Sequence, residues 1–527
     1  MLFTSLEFVI FLAAVLVVYY LTPRRFQWIV LLIFSYIFYW LADPRYLIFI
    51  VTTTVSAYLI TRRLEKIQED STAWLAEHKD LDREEKKTWK ARVKARKWRW
   101  LLLCLFLNLG ILAVTKYTNF VIRNVDSLLG GQGILSPIDM IVPMGISFYT
   151  FQTVGYVIDV YRGKQEAQKN PFKLALFVSF FPQLVQGPIS RYGMLSETLF
   201  SGHRFDGKTA SFGLMRILWG YFKKMVLADR ILTAVMALVQ GTELYTGSYV
   251  FVAMLFYAFE LYCDFTGGID ITIGIAETMG IRLPENFNLP YFSKNIKEYW
   301  NRWHITMGTW FTDYIFYPIS VCGPMLKLSK WSRKHLGEKI GKRVPVYLSS
   351  LAVWFTTGLW HGAAWNFIVW GLMNYVVIMI SQELEPLYER FHARFKVRGH
   401  LPYEVFQIIR TILLMSSIRM FDCYRDVPLT FKMVGSMFTR FNPEIFFNGA
   451  LLQLGLTAAD YAVLAVGFLL VLGVSLVKRK KGSVREVLYQ KPAGWFYGLM
   501  AALVLVIIVF GAYGAGYDAS QFIYNQF

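Results

Sequence analysis

Gly494-Trp495-Phe496-Tyr497-Gly498-Leu499-Met500-Ala501-Ala502-Leu503-Val504-Leu505-Val506-Ile507-Ile508-Val509-Phe510 carries no charged residue. Coiled as a helix with a rise of about 1.5 Å per residue, it nearly spans the roughly 30 Å hydrocarbon core of a bilayer. Comparable runs recur upstream, beginning near Leu6, Phe26, Tyr46, Trp100, Ile138, Phe172, Ser211, Tyr249, Val346, Ala363, Phe406 and Ala459. They predict an all-α, polytopic integral membrane protein with about a dozen transmembrane helices. Composition agrees, because 55% hydrophobic residues in a chain of 527 is more apolar surface than one soluble core hides. The run Phe8 to Tyr20 is led by Glu7 rather than by a basic stretch, so it reads as a retained first helix and not as a signal peptide.

Charge orients these runs. The net charge of +19 sits in loops between apolar segments, where anionic headgroups and the positive-inside bias account for it without nucleic acid. Arg24 and Arg25 lie in the first connection, Arg45 alone in the second, and the third is basic from Arg62 through Arg99. The fourth, from Asn119 to Pro137, has only Arg123. This alternation places the N-terminus outside and the basic loops in the cytoplasm; Lys478-Arg479-Lys480-Lys481 before the last helix fits, and the C-terminus then lies outside. The segment Leu64 to Arg99 mixes both charge signs with Trp74, Trp89 and Trp98. It reads as a helix along the cytoplasmic surface, with its acidic half, Glu65 to Glu85, equally readable as a solvated linker. Leu326 to Arg343 reads as a second basic cytoplasmic loop.

Between Asp264 and Asn301, polar and proline-containing sequence interrupts the hydrophobic pattern. Irregular backbone at membrane depth is tolerated only when packed in protein or lining a cavity, so re-entrant and interfacial helices around a central channel are expected. Gln183, Gln186 and Gly187-Pro188 break another apolar run and suit the same lining. The chain reads as one membrane-embedded domain over 1–527, with a basic interfacial segment at 62–99 and a chemical core at 258–381. No repeat of solenoid period and no pair of matching hydrophobic halves is present. Cys104, Cys263, Cys322 and Cys423 are scattered, without metal or redox spacing.

Two histidines stand out. His361 lies in Gly358-Leu359-Trp360-His361-Gly362-Ala363-Ala364-Trp365, inside an apolar run, and His304 in Tyr299-Trp300-Asn301-Arg302-Trp303-His304-Ile305; the other five occupy polar segments. An ionisable ring at bilayer depth is a functional-site hypothesis by default, because desolvation penalises its charged form. The alternative is a satisfied core histidine. A two-histidine metal site with Asp264, Asp313 or Glu260 lacks the i, i+4 spacing of helical zinc ligands, so no metal is expected. No Gly-x-Ser-x-Gly elbow accompanies either ring.

Six stretches, the His361 segment among them, complete a pattern. They are Tyr262-Cys263-Asp264-Phe265-Thr266-Gly267-Gly268-Ile269-Asp270-Ile271, Gly280-Ile281-Arg282-Leu283-Pro284-Glu285-Asn286-Phe287-Asn288-Leu289-Pro290-Tyr291, Pro143 to Gln152, Phe181 to Ile189, Gly358 to Trp365, and Phe522-Ile523-Tyr524-Asn525-Gln526-Phe527. With the His304 segment, they make the chain resemble the membrane-bound O-acyltransferase superfamily, in the branch similar to the membrane subunit of bacterial alginate O-acetyltransferase. The matches run in the family's order from near residue 140 to the end. One departure is Ile418-Arg419-Met420-Phe421, where the family usually has an aromatic-arginine-alanine sequence; its consequences are expected at the outer surface rather than in the chemistry.

The resemblance implies that His361 is the superfamily's catalytic histidine and His304 the second histidine of this branch. Imidazole, with an unperturbed pKa near about 6.5, suits removal of a hydroxyl proton during acyl transfer from a thioester. His304 would then orient His361, hydrogen-bond the acceptor or hold the thioester oxygen. Trp303, Trp360 and Trp365 would wall a dry channel for the thioester arm, or serve helix packing and interfacial anchoring. Arg302 meets a phosphate or carboxylate, or pairs with Glu298 one turn back. Asn286 and Asn288 flank a proline-rich turn whose backbone groups they would satisfy.

The expected reaction moves a small acyl group, acetyl above all, from a cytoplasmic thioester towards hydroxyls of an extracytoplasmic polysaccharide. Acetyl-CoA or an acylated carrier protein is implied as co-substrate, with no permanently bound cofactor. The implied partners are membrane lipid, the glycan acceptor and a separate SGNH-type acyltransferase, and the implied location is a bacterial cytoplasmic membrane. The alternatives are D-alanyl transfer to teichoic acid from a carrier protein docked on the Arg62 to Arg99 loop, a proton-coupled transporter or flippase, and a scaffold for a secretion complex. A transporter would want more intramembrane carboxylates and repeat symmetry.

Overall fold

A computed structural model describes residues 3–131 and 133–513. The Phe522 to Phe527 match and the predicted exterior C-terminus lie outside the described residues. Helices carry the described chain, and its β-structure is one isolated bridge, Phe287 to Trp303. Eight helices among the described residues are long and apolar enough to cross a membrane, so the protein is an all-α, multi-pass membrane protein. The runs expected from Ile138, Phe172 and Ser211 are met by shorter or interrupted helices. The chain forms two compact units, Met1–Gly213 with Ile275–Pro284, and Leu214–Gly274 with Glu285–Phe527.

The first unit holds α1 (Leu6–Leu21), α2 (Gln27–Ala42), α3 (Leu47–Glu77), α4 (Arg83–Leu128), α5 (Ile146–Tyr161), α6 (Pro171–Ser179), α7 (Phe181–Gln186) and α8 (Tyr192–Leu199). Its ends follow side-chain capping: Ser5 accepts from Phe8 N, and Asp82 and Glu85 form a reciprocal capping box at the start of α4. The Leu64 to Arg99 segment is not a separate helix lying on the surface. The apolar parts of α3 and α4 continue unbroken into it, and the two extensions pair: Trp74 stacks on Trp89 at 3.8 Å, Trp89 Nε1 donates to Ser71 Oγ at 3.1 Å, and Lys97 Nζ donates to Gln68 Oε1 at 3.0 Å. Helix propagation costs less than a new nucleus, and the tryptophans bury each other's faces. At Gly145, before α5, φ is 71° and a Cβ would lie 1.9 Å from Leu184 O, so only glycine fits.

Through α9 (Gly207–Tyr221) the chain enters the second unit and runs into a π-helical segment, Phe222–Ala228. There follow α10 (Asp229–Gln240), α11 (Ser248–Thr278), α12 (Ile296–Arg302), α13 (Ile305–Phe311), α14 (Tyr317–Ser320), α15 (Gly323–Gly341), α16 (Val344–His361) and α17 (Trp365–Glu383). After these come α18 (Glu385–Phe395), α19 (Leu401–Tyr424), α20 (Val427–Thr439), α21 (Ala458–Lys481), α22 (Val484–Tyr489) and α23 (Ala493–Phe510). The basic stretch Leu326 to Arg343, expected as a loop, is mostly the helix α15, broken at Gly337 where φ is 80°.

The interruption expected from Asp264 begins later. α11 continues to Thr278 because its polar residues have partners: Asp264 pairs with Lys224 at 2.5 Å, and Asp270 with Lys223 at 2.6 Å and Arg216 at 2.9 Å. Both lysines come from the π segment and both are buried. Lys224 also reaches Asp229 at 2.7 Å. The two backbones approach closely where Gly220 meets Gly267, a Cβ on the former lying 2.6 Å from the latter's carbonyl oxygen. A short π-helical segment thereby sets charges inside a membrane-spanning body, with each opposite charge supplied by a neighbour.

Candidate active site

His361 is the last residue of α16, and the glycines around it decide its burial. A Cβ at Gly358 would sit 2.5 Å from Phe367 O, and one at Gly362 would sit 2.3 Å from the Phe367 ring. The absence of those carbons lets α17 close against the end of α16. The imidazole is thereby pressed 4.5 Å from the Trp370 ring, edge to face, and is 8% exposed. The Gly-Leu-Trp-His-Gly sequence is thus a packing device that fixes where the imidazole sits.

His304 is placed by a different mechanism. It caps α13 with φ 49° and ψ 51°, a left-handed conformation that costs a residue with a Cβ roughly 1–2 kcal/mol. Two neighbouring stretches hold it there. Ile305 N donates to Asn286 O at 3.0 Å and Asn288 N to Arg302 O at 3.0 Å, flanking the Phe287 to Trp303 bridge. The Asn286 side chain adds a second tie: its Oδ1 accepts from Thr306 N at 3.1 Å and Thr306 Oγ1 at 2.9 Å, and lies 3.3 Å from His304 Nδ1. A strained side-chain-bearing residue, over-determined by its surroundings, points to a functional position.

Rings join the two histidines. His304 lies 5.6 Å from Trp360, and Trp360 lies 5.1 Å from His361; Phe265 of α11 closes on His304 at 5.0 Å. Behind them stands Arg419 of α19, 4% exposed, with its guanidinium 4.7 Å from the Trp303 ring, 5.4 Å from Trp370 and 5.8 Å from Trp300. Arg419 Nη1 donates to Asp422 Oδ2 at 3.3 Å, while its Nη2 and the Trp300 and Trp370 indole N–H groups have no hydrogen-bond partner among the described residues. Leaving such a buried donor open costs roughly 1–3 kcal/mol. Burial first, and then the Arg419 charge, pull the His304 imidazole down to about 3, so it stays uncharged at physiological pH.

The structure gathers His304, His361, Asn286, Trp303 and Trp360 in one place and sets other candidates apart. Arg302 Nη2 donates to Glu298 Oε1 at 2.6 Å, within its own helix. Trp365 starts α17, is 57% exposed and lines an open cavity with Asn366, Arg425 and Asp426. Gln183 and Gln186 belong to the first unit, where Gln183 Nε2 donates to Pro188 O at 2.8 Å and Ser190 Oγ at 2.5 Å, satisfying the broken turn after α7. Asp264 is committed to Lys224. Among the described residues no group of three or more His, Cys, Asp or Glu has a metal-binding arrangement.

Arg419 is the correction that matters most. Its sequence context suggested the outer surface, yet it is buried in the tryptophan shell shared with His361 and Trp303. The signal was present: an arginine in an apolar run meets the same rule that singled out His361. A separate polar cavity of about 70 Å³ is lined by Arg216, Lys223, Tyr262, Asp270, Glu285 and Lys478, among others. Its charges are mostly paired, Arg216 reaching Glu285 at 2.7 Å.

Residues 168–422 match the model of the MBOAT, membrane-bound O-acyltransferase family. Over 391 residues the chain is 32% identical to a protein named probable alginate O-acetylase from Azotobacter vinelandii, covering 73% of this chain and 69% of that one. It is 31% identical to a peptidoglycan O-acetyltransferase of Helicobacter pylori, over 56% of this chain and 58% of the relative. A teichoic acid D-alanyltransferase of Bacillus subtilis is 28% identical over 49% of this chain and 63% of its own length.

Proposed function

Because the chain belongs to the membrane-bound O-acyltransferase family, we propose that it carries a small acyl group, acetyl above all, from a cytoplasmic thioester to hydroxyls of an extracytoplasmic polysaccharide. The observation that carries this reading is the pairing of His361 with His304 through Trp360, in a buried, aromatic-walled site. His361 takes the proton of the acceptor hydroxyl as its oxygen attacks the acyl carbonyl carbon. The C–S bond then breaks, and the imidazolium returns the proton to the departing thiolate, so no proton is gained or lost overall. Arg419 supplies a fixed positive charge near the reacting groups, where low dielectric strengthens it.

Acetyl-CoA or an acylated carrier protein serves as donor, and a separate SGNH-type transferase completes delivery to the glycan. The chain sits in a bacterial cytoplasmic membrane with its N-terminus outside, and donor and acceptor meet by a channel reaching His361 from both aqueous sides. The D-alanyl reading keeps the same chemistry with a different donor, as the name of the Bacillus subtilis relative suggests.

The test is acetyl transfer from radiolabelled acetyl-CoA in membrane vesicles carrying wild-type protein or His361→Ala. Loss of the base lowers turnover by about 10²- to 10⁴-fold, with unchanged membrane content of the protein. Undiminished transfer by the variant sinks the assignment, and transfer only from carrier-bound D-alanine selects the second donor.

A further inference from the structure

The amide of Asn286 can be oriented in only one way. Its Oδ1 accepts from the Thr306 backbone N–H, a group that only donates; turning the amide over would set its NH2 against that N–H. The same Oδ1 faces His304 Nδ1 at 3.3 Å, and an amide oxygen only accepts. Nδ1 therefore carries the imidazole hydrogen, and the lone pair belongs to Nε2. The main chain of Asn286 is held independently, by Ile305 N on Asn286 O, while its side chain holds Thr306 and faces the ring.

We propose that Asn286 is the positioning residue that fixes His304 as the Nδ1–H tautomer, so that Nε2 accepts a hydrogen bond from the acceptor hydroxyl and aims it at the acyl carbon. This rests on the acyl-transfer reading and assigns the second histidine its part: it recognises the acceptor alcohol, while His361 takes the proton. The surroundings suit a ring that accepts a hydrogen bond without becoming charged. Arg419 of α19 faces it, held by Asp422 and by Tyr299 of α12; α16 presents His361 beyond Trp360; and α11 presents the neutral Phe265 ring. A fixed tautomer set by a second polar group is a recurring device wherever histidine acts chemically.

Two measurements on the full-length protein in lipid nanodiscs decide it. In protein labelled with ¹⁵N-histidine, with the His304 signals assigned by their loss in His304→Gln, Nδ1 is expected in the protonated and Nε2 in the unprotonated range. The opposite assignment overturns the proposal. In acetyl transfer from acetyl-CoA, Asn286→Ala is expected to lower kcat by about 10- to 100-fold with little change in KM for acetyl-CoA. Asn286→Asp, which keeps the acceptor oxygen, recovers most of that rate at alkaline pH. Its carboxylate favours the imidazolium, so activity falls at a higher pH than in wild type as the solution is acidified. Equal loss in both variants with an unmoved pH profile makes Asn286 merely structural and rejects the inference. If His361→Ala keeps full transfer, the acyl-transfer reading fails instead, and the tautomer measurement still judges the Asn286 to His304 pairing by itself.

Discussion

Arg419 concentrates the physics of this protein in one side chain. A guanidinium buried at 4% exposure is stable only with compensation, and here that comes from Asp422 and from the faces of three indoles. Removing the cation alone strands a buried carboxylate, so Arg419→Met is expected to cost about 3–5 kcal/mol. Adding Asp422→Asn removes the stranded charge and recovers most of the loss. Thermal unfolding in detergent checks both: a single variant that melts like wild type means the ion pair does not hold this region. The same residue was misplaced by sequence reasoning, because a departure from a family pattern says nothing of which neighbours surround the side chain. His361 and His304 were legible, since an ionisable ring in apolar sequence is conspicuous on its own.

The helical hairpin of α16 and α17 is the element on which the site depends. Its two faces meet through Gly358 and Gly362, where any side chain would push against Phe367. Gly358→Ala drives a methyl into a carbonyl oxygen that cannot yield without moving α17, and is expected to destabilise by about 1–3 kcal/mol. Activity falls further than stability, because the hairpin also sets His361 against Trp370. Comparing melting midpoint with acetyl-transfer rate separates the two effects; a Gly358→Ala protein with full activity shows that close packing here is dispensable. Sequence reading recovered most long helices because hydrophobic runs announce themselves. It ended α11 too early, since Asp264 and Asp270 look like breakers until Lys223 and Lys224 of the π segment are seen beside them.

At the scale of the whole chain, the distribution of lysine and arginine predicts which parts face the cytoplasm. The paired extensions of α3 and α4 carry the densest charge, so a cysteine introduced at Lys90 is expected to react with a membrane-impermeant maleimide only from the cytoplasmic side. Labelling from outside in intact cells reverses the topology, and with it the side from which the thioester approaches. The two units divide the work in sequence: the first contributes the long charged hairpin, while the side chains described above around the two histidines belong to the second.

Apolar runs, loop charge and two misplaced imidazoles are local properties of the chain, so the amino-acid sequence alone determined a helical membrane protein and singled out its two imidazoles in apolar surroundings. The tautomer of His304, the tryptophan cage of Arg419 and the inward lysines of the π segment depend on residues far apart in the chain being brought within a few ångströms. Local periodicity carries no record of such meetings. Only the folded backbone decides which hydrogen-bond donor faces which acceptor.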